Sequence, residues 1–267
     1  MAIDTIIDYD CIPKQTVATE AIMERLKFRD RAEIVIRQYR LAGDLRPPSQ
    51  MGFEFTRSHP DGTSETHMII VQNALDNAED LDKLAHHCVG CPANASAAPF
   101  GCMNFIQYPI TAAAERWLLD QLPAPDQPLL WLLLRQSVQE MGYDGESVRP
   151  LRSNPAYFEE ARVAGRDMVE FVFNANQVFE MLFLLGHVSP THAAVLCLFF
   201  NAVPRAIEAN VIVQLMNRLL TRDQIEKHFP FVLSIADDED RSIADLKRYL
   251  YTLWCGWRLN VDVLLDV

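Results

Sequence analysis

Glycine is scarce in this chain: ten among 267 residues, about half the usual share of roughly 7 %. So few glycines leave little material for the tight turns of an all-β fold, and the chain reads as mostly helical. Positive charge is short as well. The 24 Lys and Arg face 36 Asp and Glu, a net charge of −12. Split at residue 122, each half carries −6, so no basic domain hides behind an acidic tail. Nucleic acid is therefore disfavoured as a partner, because its phosphates are neutralised by Lys and Arg.

Common enzyme signatures are missing too. There is no Gly-x-Ser-x-Gly elbow, no Gly-x-x-x-x-Gly-Lys phosphate loop and no Gly-x-Gly-x-x-Gly turn. Neither His-Glu-x-x-His nor the Glu-x-x-His pair of di-iron bundles occurs. Nothing nominates a nucleophile or an acid–base pair, so catalysis is not the leading expectation. Residues 1–10 lack a basic stretch followed by an apolar one, so no secretory leader is expected and a cytoplasmic location is.

What is present is a foldable chain, 49 % hydrophobic and 22 % charged. That excludes disorder and allows one large domain or two small ones. The longest uncharged run, Met181 to Pro204, could span a membrane by length alone. Gly186 to His192 interrupts it, and Ser189-Pro190 is a good N-cap and first-turn pair. Two core helices joined by a turn are predicted there, not a membrane span.

The fold class is predicted as mainly α within an α+β chain. An N-terminal helix, a β-hairpin and a cysteine knuckle (residues 1–122) would pack on a C-terminal helical bundle (123–267) in one globule. Ile22, Leu26, Val35 and Tyr39 give helical spacing over Thr19 to Leu41. Met51 to Val71 alternates around His59-Pro60-Asp61-Gly62-Thr63 and reads as a hairpin. Asp76 with Glu79 suggests a capped helix running to His87. The segment 122–128 holds three prolines and is the expected boundary. Beyond it everything reads as helical. One helix covers Leu129 to Met141, Asn154-Pro155 restarts another, Thr221 and Gln224 form a capping box, and a last helix begins near Asp240.

The chemistry sits in His86-His87-Cys88-Val89-Gly90-Cys91, followed across a proline-containing loop by Cys102. A Cys-x-x-Cys turn lets two thiolates meet one ion, and the ten-residue loop can bring a third. Cys88, Cys91 and Cys102 with His86 or His87 would make a tetrahedral Cys₃His zinc site of the structural kind. Cys11 ranks third for the fourth place. An iron–sulfur cluster on the same cysteines is the alternative cofactor, and a redox role goes with it. The leading expectation is thus a soluble metal-binding regulatory or binding protein, its partner an unidentified protein or small molecule. Homodimerisation is allowed by the apolar helices but nothing specifies it.

A second set of polar residues lies in apolar surroundings: Asn174, Asn176, Glu180, His187, His192, Asn201, Arg205 and Glu208. They are expected to form a core hydrogen-bond network. The alternative is an enzyme pocket among Glu180, His187, His192, Arg205 and Glu208. Seven Lys and Arg against three Asp and Glu over residues 25–46 make a local +4 patch, expected as a solvated helix face.

Overall fold

The computed structural model describes residues 2–58, 64–168, 172–183 and 186–266. The elements run β1 (Ala2–Ile7), α1 (Ile12–Thr16), α2 (Thr19–Leu41), β2 (Gly52–Ser58), β3 (Ser64–Ile70) and α3 (Val71–Asp82). Next come β4 (Met103–Gln107), α4 (Ala112–Gln121), α5 (Pro128–Met141), α6 (Arg149–Arg152), β5 (Gly165–Asp167) and β6 (Val172–Asn174). The chain continues through α7 (Ala175–Phe183), β7 (His187–Val188), α8 (Pro190–Phe199), α9 (Ala209–Met216) and α10 (Arg222–His228). It closes with α11 (Arg241–Leu259) and β8 (Val263–Asp266). Helix dominates, with small antiparallel sheets. Among the described residues no helix is long and apolar enough to cross a membrane.

Contacts divide the chain into two units. The first holds Met1–Tyr9, Pro92–Ser96 and Gly101–Val267; the second holds Asp10–Cys91 and Ala97–Phe100. The expected boundary at residue 122 lies inside the first unit. There the Arg166 guanidinium donates to the carbonyls of Leu119 and Leu122 at 2.7 and 2.8 Å, tying down the start of the proline-rich segment.

In the first unit a four-stranded sheet has the order β4-β1-β8-β7. β1 is central, pairing Ala2 with Gln107 on one side and Asp4 with Asp266 on the other. Its burial on both faces from Ile3 to Ile7 follows from that position. Helix α11 packs on α8 and on β4 and β1. It buries Tyr249, Leu253 and Trp257, while α8 buries every residue from Ala193 to Phe199. Asp240 caps α11 through the Ile243 N–H at 3.1 Å, and Asn260 ends it in the left-handed conformation.

In the second unit α2, the β2–β3 hairpin and α3 enclose their own core of Ala32, Val35, Met51, Phe53, Val71 and Ala74. Phe28 meets Phe55 edge to face at 5.0 Å. The hairpin has seven paired positions, Gly52 opposite Ile70 through Ser58 opposite Ser64. Its expected turn, residues 59–63, lies outside the described residues.

Several expectations need correction. α3 starts at Val71, five residues before Asp76, with no side-chain cap, because the hairpin feeds straight into it. Its end gives way to a 3-10 turn, Ala85–Cys88, so His86 and His87 do not extend the helix. Asn154-Pro155 opens no helix; the Asn154 carboxamide caps the Ala156 N–H in a local turn instead. β5, β6 and β8 are strands where only helix was expected, and β7 is a strand inside the expected turn between two helices.

Candidate functional site

The cysteine segment is divided between the units. Cys88 and Cys91 belong to the second, with Cys11, His86 and His87; Cys102 belongs to the first. Cys88 ends the 3-10 turn, and the Cys91 N–H returns to its carbonyl at 3.3 Å across Gly90, which has φ +72°. The Cys88 thiol accepts the Phe100 N–H at 3.2 Å. Phe100 holds φ +60° to make that contact, an uncommon conformation for a bulky residue. Burial pushes the Cys88 thiol up, Phe100 opposes this, and the Cys91 and Cys11 thiols add to the rise. The rings of His86 and His87 lie against each other, tilted by 40° with their centres 3.8 Å apart. No disulfide joins any of the six cysteines. Among the described residues, no group of three or more His, Cys, Asp or Glu is gathered to hold a metal ion.

The polar residues of the helical half separate into distinct roles. Asn176 is buried and accepts from Arg152 Nε and Nη2 at 3.0 and 2.7 Å. Arg152 is 5 % exposed, ion-paired to buried Glu115 at 2.5 Å and stacked 3.8 Å over the Phe158 ring. Glu180 accepts the Gly145 N–H at 2.7 Å and the Ser147 hydroxyl. Arg205 donates to the carbonyls of Leu198, Phe199 and Gln121, closing the carboxyl end of α8. Burial, aided by Arg166, lowers it to about 10. His192 is lowered by burial, while His187 and Glu208 are exposed. Glu180 and Arg205 are each engaged by their own neighbours, and neither cavity described below is lined by Glu180, His187, His192, Arg205 or Glu208.

Cavities in the first unit include two that stand out among the described residues. One, of about 480 Å³, has Asp144, Arg149, Ser153, Asn174 and Asn176 in its lining beside Val163 and Val172, over buried Arg152. Gly145, at φ +80°, forms part of its wall; a Cβ there would stand 2.9 Å from the Asn176 Cβ. Its deepest cation is already satisfied by Glu115 and Asn176.

The other cavity, of about 310 Å³, gathers three arginines. Arg218 follows α9 with φ +55°, Arg222 opens α10 and Arg258 is in the last turn of α11. Leu215, Ile225 and Trp257, all buried, supply an apolar wall. Thr191 reaches Arg218 Nε at 3.2 Å. Arg258 is the deepest of the three, with a side chain 14 % exposed. It lies 4.8 Å over the Trp254 ring and donates to the Pro92 carbonyl at 2.7 Å. Its buried Nε–H has no acceptor among the described residues. A buried donor without a partner is costly and marks a place where an acceptor is missing.

Sequence reasoning passed over these arginines because they spread over 40 residues of the chain and belong to no motif. The capping box before Arg222 was the available signal. No protein-family model matches the chain, and neither the curated proteins nor the solved structures give a match.

Proposed function

We propose that the protein binds a small organic anion in the cavity between Arg218, Arg222 and Arg258. The observation that supports this is the excess of cations at one concave, partly apolar site in a chain of net charge −12. The lining holds three guanidiniums and no carboxylate, and the one carboxylate paired with them, Glu226 on Arg222 and Arg258, leaves a net positive charge for an anion to meet. Pockets for small ligands combine such a wall with a few convergent polar groups, and 310 Å³ is at the small end of their range. Arg, Thr and Asn side chains hold and orient a ligand, which makes binding the natural activity of this surface.

The test is calorimetric titration with benzoate at low salt. Arg218→Gln and Arg258→Gln are each expected to weaken binding at least about tenfold, as loss of a charged hydrogen bond does. Arg218 is exposed, so its variant is expected to melt like the parent. Unchanged affinity in both variants would sink the assignment.

A second reading keeps zinc on Cys88 and Cys91, with an iron–sulfur cluster as its alternative. The Phe100 N–H on the Cys88 sulfur favours it, since such a bond stabilises the thiolate form that metal requires. Loading would draw Cys11 or a neighbouring histidine inward to complete the ligand set.

A further inference from the structure

We infer that the ligand of the arginine cavity is a monocarboxylate on a small apolar body, and that Glu226 is the internal carboxylate it competes with. This rests on the anion-binding reading above. Glu226 is on α10, one turn after Arg222. A single oxygen of it, Oε1, accepts from Arg222 Nε at 2.9 Å and from Arg258 Nη1 at 3.2 Å. The two guanidiniums come from different helices, α10 and α11, and converge on one carboxylate oxygen. Their geometry is therefore already that of a carboxylate receptor, with a resident of the right chemistry at its edge.

The balance of charge sets the affinity. One carboxylate is shared by two arginines, and the hydrogen bond described for Arg218 goes to the Thr191 hydroxyl. A second carboxylate gains from the cations that Glu226 leaves uncompensated and loses to repulsion from Glu226 itself. Glu226 thus tunes affinity downward without closing the site. The wall of Leu215, Ile225 and Trp257 selects the rest of the molecule. A bare phosphate would leave that wall wet, whereas a ring or short chain covers it.

Titration with benzoate and, separately, inorganic phosphate tests this in the parent, in Glu226→Gln and in Asp223→Asn. Asp223 is the charge control: its carboxylate acts on Arg222 through space alone, whereas Glu226 acts through a hydrogen bond as well as through space. The amide of Glu226→Gln keeps shape and an acceptor while removing the charge. Benzoate is expected to bind this variant about fivefold tighter than the parent, with Asp223→Asn within about twofold, the scale of exposed ion pairs. Phosphate is expected to trail benzoate in all three. Equal or weaker benzoate binding by Glu226→Gln would overturn the competition while leaving the pocket standing. Equal tightening in Asp223→Asn would reduce the effect to general charge and overturn it too. Phosphate binding tighter than benzoate would overturn the carboxylate assignment. Failure of all three proteins to bind either probe would remove the anion site itself, and this inference with it.

Discussion

Arg152 joins several elements of the first unit through one buried guanidinium. It pairs with Glu115, donates twice to Asn176 and covers the Phe158 ring, all out of water. Removing it strands a buried carboxylate. Burial already raises Glu115 above its ordinary value of 4.5, against the pull of Arg152. Arg152→Met is therefore expected to lower stability by about 3–5 kcal/mol, the usual cost of breaking a buried pair from one side. The same reasoning gives the sign of the pH effect. Without Arg152 the folded state holds a proton on Glu115 well above 4.5, while the unfolded state releases it there. The damage is thus least below about 4.5 and grows as pH rises through the new folded value. Urea denaturation of parent and variant at pH 5 and pH 8 checks this, and a smaller difference at pH 8 would contradict it.

At the scale of elements, α10 is short and depends on its cap. Thr221 accepts the Gln224 N–H at 3.3 Å, and the Gln224 side chain accepts the Thr221 N–H at 2.8 Å. This box holds the helix that presents Arg222, Ile225 and Glu226. Thr221→Ala is expected to cost about 1 kcal/mol in chemical denaturation and to weaken benzoate binding in step. Full-strength binding on a frayed α10 would show that the helix does not build the site. The box was legible in the sequence, as were α2, the hairpin, the Ser189 cap and the start of α11, because each is signalled within a few neighbouring residues. The strands β5 to β8 were not. β7 is two residues long and β8 four, too brief for any period to register, and their pairing partners are remote in sequence. The arginine cavity was hidden for the same reason: Arg218, Arg222 and Arg258 meet through tertiary packing of α9, α10 and α11. The Cys-x-x-Cys turn was visible at once, but sequence spacing could not say which further ligands would stand beside it.

For the whole chain, the thiol reading makes a stoichiometric statement. Protein purified without oxygen is expected to carry about one zinc per chain, lost in Cys91→Ser, with chelation broadening the thermal transition. Elemental analysis with an absorption spectrum decides it. Iron with visible absorbance would replace zinc by the cluster alternative, and metal-free protein would retire both. The two units also differ in how they are strung together. The second is nearly continuous, Asp10–Cys91 with four later residues, whereas the first is built from three separated stretches.

That stringing sets an order of events as the chain is made. β1 emerges first, yet its partner β4 comes about a hundred residues later and β8 about another hundred and sixty after that, the kind of separation that slows assembly. Residues 10–91 emerge in between, and the core of α2, the hairpin and α3 draws on nothing made after the end of α3. The second unit can therefore gather while the strand before it still waits. Until β8 arrives, one edge of an apolar central strand stands open, and this is the interval in which a nascent chain most needs protection from its neighbours.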